Sequence, residues 1–182
     1  MLGKGAWNDR RRPWVRRGSP SGFPDSSAAI YNFTMKVVID TCVHLDMFLP
    51  ARPRHANAAL LAERLRQKDG EIELYEPMHA FFEFTNAIMC EKRSAGGGDL
   101  KGNEAISEDR PLKFTLVPID QKFVNRYATG EMPELKGGDM IFVLLALHDG
   151  LDLVTEDKKM LSEARRLGVS AFTTSEYLAH LS

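Results

Sequence analysis

Two stretches decide the fold: Lys36-Val37-Val38-Ile39-Asp40 and, far downstream, Leu151-Asp152-Leu153-Val154-Thr155-Glu156-Asp157. Each is a short run of strand-forming residues that runs out into an acid. Short apolar runs of this kind read as strands buried on both faces. Each is followed by a helical pattern, Val43 to Leu49 stopped by Pro50 in the first case and Lys158 to Leu167 in the second. Strands separated by helices imply a mainly parallel sheet covered on both faces, an α/β/α sandwich. Such sheets bind ligands in the crevice beyond the carboxyl ends of their strands. Asp40 and Asp157 fall at two such ends.

Outward from these stretches the alternation continues. Ala56 to Lys68 reads as an amphipathic helix with Leu60, Leu61 and Leu65 on one side, ended by Asp69-Gly70. Glu71 to Tyr75 reads as a strand, with Pro77 opening the next helix at its first position and that helix running to about Lys92. Residues 94–110 carry Gly96-Gly97-Gly98 and Gly102 among mixed charges and read as a flexible loop. Lys113 to Ile119 is a strand candidate and Asp120 to Tyr127 a short helix. Gly137-Gly138-Asp139 opens a helix, apolar nearly all round, that reaches His148. Val169 to Phe172 and Thr174 to Leu181 supply a last strand and a last helix.

Composition limits the function classes. The longest apolar run, Met140 to Leu147, falls far short of the roughly 20 residues that span a bilayer. The two cysteines, Cys42 and Cys90, form no metal-ligand spacing and suit a reducing cytoplasm. The formal net charge is −1, but the basic residues are uneven. Lys4, Arg10, Arg11, Arg12, Arg16 and Arg17 crowd residues 1–34, a segment rich in Pro, Ser and Gly that reads as disordered and that precedes a second start candidate, Met35. The domain expected over residues 35–182 is therefore acidic, and a nucleic-acid partner requires mediating cations or clustered basic side chains.

Four acids stand out, each with a structural alternative. Asp40 follows three β-branched residues and also suits the N-cap of the next helix. Glu83 lies in an apolar helix, where a buried carboxylate needs a partner or a cation, or else occupies a wet stripe shared with His79 and Asn86. Asp139 begins the apolar helix, where the helix dipole favours an acid. Asp157 can cap the helix from Lys158, with Thr155 beside it to hold a water. If all four converge they repel, by about 4 kcal/mol for one pair at about 4 Å and an effective dielectric of about 20. Lys or Arg neighbours in sequence serve only Asp157, so a hard divalent cation held by carboxylate oxygens is the simpler counter-charge.

At these residues the chain resembles the PIN-domain nucleases, and among them the VapC-type toxins. Val38-Ile39-Asp40-Thr41 is similar to that family's first strand and acid, and Phe82-Glu83-Phe84-Thr85-Asn86 to its helical acid. Gly137-Gly138-Asp139 is similar to its third motif and Thr155-Glu156-Asp157 to its fourth. The resemblance runs from about Met35 to the C-terminus. It departs in the basic segment before Met35, in the length of the Gly-rich stretch, and in Cys42, to which sequence assigns no role. It implies a three-layer α/β/α sandwich, Mg²⁺- or Mn²⁺-dependent endonuclease action on single-stranded or looped RNA, a homodimer and an inhibitory antitoxin. On that basis Asp40, Glu83, Asp139 and Asp157 are the expected catalytic acids. Asp40 and Asp139 hold the principal metal, Asp157 binds a second metal or acts through water, and Thr155 supports.

For RNA contact the sequence offers Arg52 and Arg54, exposed by Pro50 and Pro53, or an ordinary solvated loop in the same place; Arg126 and Lys136 are further candidates. The rival readings are a non-catalytic protein-binding module on the same fold and a housekeeping RNA-processing enzyme. An aspartyl phosphatase is a third, disfavoured because Cys42 stands where its second acid belongs.

Overall fold

A computed structural model describes residues 34–94 and 112–182. The readings placed on residues 1–33 and 95–111, the basic extension and most of the Gly-rich loop, lie outside the described residues.

The strand expected to end on Asp40 forms as β1, Met35–Ile39. It leads into α1, Thr41–Phe48, then α2, His55–Gln67, β2, Ile72–Pro77, and α3, Met78–Ser94. After the gap follow β3, Thr115–Val117, α4, Gln121–Tyr127, α5, Gly137–Asp149, and β4, Asp152–Val154. α6, Lys158–Arg166, β5, Ala171–Phe172, and α7, Thr174–His180, complete the chain. The five strands pair in the order β3-β2-β1-β4-β5, all parallel. β1 is thus central, and the order reverses at its border with β4, the place where an open parallel sheet leaves a crevice.

Period-two geometry sends alternate residues of β1 to opposite faces. Val38 packs with Leu153, Phe142 and Leu145 under α4, α5 and α6, while Val37 and Ile39 pack with Val43, Leu61 and Tyr177 under α1, α2 and α7. This is the expected α/β/α sandwich. Val37, Val38, Val143 and Leu153 are all fully buried, and each such side chain contributes about 1.5–3 kcal/mol through burial. Phe84 and Ile88 form a smaller cluster with Leu45 and Phe48, which docks α3 onto α1. Among the described residues no helix is long and apolar enough to cross a membrane.

Three local expectations change. Leu60 does not share the buried side of α2; it is 48% exposed, and Ala58, Leu61, Ala62 and Leu65 form the packed stripe. Pro77 closes β2 opposite Val117 instead of opening α3. Ser94 is the last residue of α3, so the helix outruns Lys92. Turn chemistry follows the sequence: Gly150 ends α5 in the left-handed region at φ 65°, where a Cβ costs most. Thr173 and Glu176 form a reciprocal capping box on α7.

Candidate active site

Asp40 occupies the N-cap position of α1, yet its side chain makes no capping hydrogen bond. Extended backbone at φ −63° and ψ 145° turns the chain out of β1, and the carboxylate is left to other donors. Two reach it. The Thr155 hydroxyl, from the end of β4, donates to Asp40 Oδ2 at 2.8 Å, and the Cys42 thiol donates to the same oxygen at 2.7 Å. Asp40 is only 6% exposed. Burial raises its pKa above the usual carboxylate range, the Cys42 and Thr155 bonds oppose that rise, and the negative charge of Asp139 adds to it. The Cys42 thiol is pushed well up by burial first, then by the Asp40 charge and its bond to Asp40. It therefore stays protonated and acts as a donor, not a nucleophile.

Glu83 comes to the same end of the sheet from α3. The Thr41 hydroxyl, one residue past Asp40, donates to Glu83 Oε2 at 3.1 Å. The first turn of α5 closes the far side. A Cβ placed on Gly138 would stand 3.5 Å from Glu83 Oε1 and 3.6 Å from His79 Nε2. Asp139 follows in that first turn, where the unpaired N–H groups of the helix favour an acid. The fourth acid behaves differently. Asp157 is exposed and caps α6, its Oδ1 accepting from Met160 N at 2.8 Å, while its own N–H donates to Thr155 Oγ1 at 3.0 Å. Thr155, fully buried, therefore ties Asp40 to the backbone of Asp157.

The structure thus places Asp40 within electrostatic reach of Asp139, Glu83 beside Gly138 and Thr41, and Asp157 one hydroxyl away from Asp40 through Thr155. Among the described residues no three acidic, His or Cys side chains approach closely enough to make a preformed metal cage. The donor set is carboxylate and hydroxyl oxygen, the chemistry that suits Mg²⁺ and Mn²⁺. In kind, the residues fit such an ion.

Sequence reasoning gave no role to Thr41, Cys42 or Glu76, and named His79 only as sharing the stripe of Glu83. Thr41 and Cys42 were adjacent to the first acid but carried no signal of their own. His79 lies one turn before Glu83, with both ring nitrogens buried and without a hydrogen-bond partner among the described residues, and its ring meets Phe142 edge-on at 5.3 Å. Glu76 had no sequence signature at all; it is 1% exposed and stands 3.4 Å from Nδ1 of His44, which is equally buried and stacks on Phe84. That pair joins α1 to the strand that feeds α3, behind the residues that carry Asp40 and Glu83. Arg126 is engaged by Asp149 at 2.6 Å, away from the acids.

No family model matches the chain, and no curated protein does. Among solved structures, PAE2754 from Pyrobaculum aerophilum is similar at 18% identity and a TM-score of 0.50, over 87% of this chain and 98% of that one. A PilT N-terminus domain protein, SSO1118, from the hyperthermophilic archaeon Sulfolobus solfataricus P2 shares 18% identity, with a TM-score of 0.45, over 81% and 93%. VapBC2 from Rickettsia felis, bound to a DNA fragment from its promoter, shares 13% identity, with a TM-score of 0.47, over 76% and 98%. At these identities the likeness concerns the fold. The chain shares its fold with the Pyrobaculum protein over most of its length, a five-stranded parallel sheet between two layers of helices.

Proposed function

We propose that this chain is a Mg²⁺- or Mn²⁺-dependent endoribonuclease, the toxin of a toxin–antitoxin pair, acting in the cytoplasm as a homodimer restrained by a cognate antitoxin. The observation that carries the reading is the buried Asp40 carboxylate at the sheet's switch point, held by Thr155 and Cys42 and within reach of the Asp139 charge, with Glu83 held by the adjacent Thr41. A buried carboxylate with no capping role and no basic partner is one that a bound cation would balance. The likeness of fold to the PilT N-terminus and VapBC2 proteins is consistent with this reading and does not carry it.

In this reading Asp40 and Asp139 hold the principal metal, Glu83 completes the set or orients the attacking water, and Asp157 acts through water or a second ion. Held by these carboxylates, such an ion would lower the pKa of a water and offset charge on the scissile phosphate. Thr155 and Cys42 fix the orientation of Asp40, and Thr41 fixes that of Glu83. In-line attack by water breaks the P–O3′ bond, with the proton going to the departing oxygen, and leaves a 5′-phosphate and a 3′-hydroxyl.

The test uses metal-stripped protein, end-labelled single-stranded RNA, and added Mg²⁺ or Mn²⁺, with Asp40→Ala and EDTA controls. Cleavage that needs both the ion and Asp40 supports the reading. No cleavage, with no ion-dependent rise in melting temperature, returns the fold to a non-catalytic binding module. Ion binding without cleavage means that the substrate is not RNA.

A further inference from the structure

Arg52 and Arg54 lie in the connection between α1 and α2, where the sequence allows an ordinary solvated loop. In the structure both turn back onto one carboxylate. Asp46, in the last turn of α1, is 1% exposed. Arg52 Nε bonds to its Oδ1, and Arg54 Nε bonds to its Oδ2 at 2.7 Å. His55 Nδ1 stands 2.9 Å from the Asp46 carbonyl oxygen, fixing the start of α2 at the same point. Both oxygens of a buried acid are thus satisfied by two guanidinium groups, as burial demands.

Each guanidinium is held through Nε, and the side chains stay 31% and 44% exposed. Their terminal nitrogens are the remaining donors of a planar fork whose geometry matches a phosphate. Arg54 also reaches the segment that follows β4, on which Asp157 stands. Arg54 Nε is 4.0 Å from Glu156 Oε2, and Glu156 lies between Thr155 and Asp157.

An acidic crevice repels a nucleic-acid strand. A cation at the acids neutralises only the phosphate being cut, so neighbouring phosphates need cationic donors of their own. Two arginines already ordered by a buried carboxylate lose less side-chain entropy on binding than free ones. We propose that Arg52 and Arg54, aimed by the buried Asp46, form a phosphate-gripping subsite for an RNA phosphodiester flanking the one positioned at Asp40. This rests on the ribonuclease reading for the identity of the strand. The subsite carries affinity and register, not base sequence.

The test measures binding of fluorescein-labelled single-stranded RNA to the full chain by anisotropy, in EDTA, across a salt series. Arg54→Gln weakens binding about fivefold and reduces the slope of log K against log salt by about 0.7. Arg54→Lys, which keeps the charge on Asp46, recovers part of the loss. Arg166→Gln removes the same charge at the Glu131 and Glu163 ion pairs and changes neither quantity. With Mg²⁺ or Mn²⁺ present, Arg54→Gln raises KM while kcat holds. Equal RNA binding by wild type and Arg54→Gln overturns the subsite, even if the variant loses affinity for a protein partner; so does an equal loss in Arg166→Gln. Wild-type protein that binds through Arg54 but never cuts sinks the ribonuclease reading and leaves the subsite standing. Wild-type protein that neither binds nor cuts overturns both.

Discussion

Thr155 donates its hydroxyl to Asp40 Oδ2 at 2.8 Å across 115 residues of sequence, joining the ends of the two strands that flank the switch point of the sheet. The same oxygen of Thr155 accepts the Asp157 N–H. One fully buried hydroxyl therefore orients the first acid and anchors the segment that carries the fourth.

Replacing Thr155 by Val removes both bonds and leaves a buried carboxylate oxygen short of a donor. The expected cost is about 1–3 kcal/mol, read as a lower denaturation midpoint at unchanged slope. Thr155→Ser keeps the hydroxyl and retains most of the stability and cleavage rate. A Val variant as stable and as active as wild type would remove Thr155 from the site.

Asp40 sets a pH dependence. Its folded pKa lies above the unfolded value because burial and the Asp139 charge outweigh the two donated bonds. Between the unfolded pKa and the raised folded one, the native state binds more protons than the unfolded state. Stability is then greatest at low pH, as far as this group is concerned, and falls as pH rises through that window. Metal-free Asp40→Asn is accordingly expected to melt above wild type at neutral pH, and the gap closes in acid. Calorimetry of both proteins at two pH values checks the sign.

In the proposed reading, ion binding reverses that penalty, and wild-type protein is expected to gain about 2.7 kcal/mol at a metal concentration one hundred times Kd. Asp40→Asn and Asp139→Asn gain little, because each lacks a carboxylate facing the crevice. A melting shift with Mn²⁺ that survives Asp139→Asn would take Asp139 out of the ligand set.

Asp46 clamps the two arginines from inside the protein. Asp46→Asn leaves two guanidinium groups facing a neutral amide. Breaking a buried pair costs about 3–5 kcal/mol, but Arg52 and Arg54 are 31% and 44% exposed and water compensates them in part, so the expected loss is about 1–2 kcal/mol. Urea denaturation measures it, and a neutral result would mean that the clamp is not formed in solution.

The aromatic seam behind the acids is a packing feature with a large expected effect. Phe84 is buried at 2%, stacks on His44 at 4.3 Å, and meets Phe48 edge-on at 5.0 Å. Phe84→Ala is expected to cost about 3–5 kcal/mol and to loosen α3, which carries Glu83, from α1, which carries Thr41. Cleavage falls with stability. A variant that keeps full stability would show that the seam closes around the smaller side chain.

The sequence by itself determined the sheet and its helices, because apolar runs of strand length and apolar stripes of helical period are local consequences of what must be buried. Val37-Val38-Ile39 and Leu151 to Val154 can be little else, and Asp40 at the end of the first of them could be read as facing a crevice. It also held, without saying which, the alternatives for each acid. Tertiary structure decided those. Asp40 and Asp157 both occupy N-cap positions, yet only Asp157 caps its helix, while the Asp40 carboxylate takes its bonds from the Thr155 hydroxyl and the Cys42 thiol. Leu60 left the core because α2 packs through Ala58, Leu61, Ala62 and Leu65. Arg52 and Arg54 were read as loop cations, and a buried Asp46 that no periodicity reveals turned them into a fixed pair. Propensity and periodicity act within a few residues, whereas the partner of a carboxylate is set by which elements the fold brings together across the whole chain, and that is written only in three dimensions.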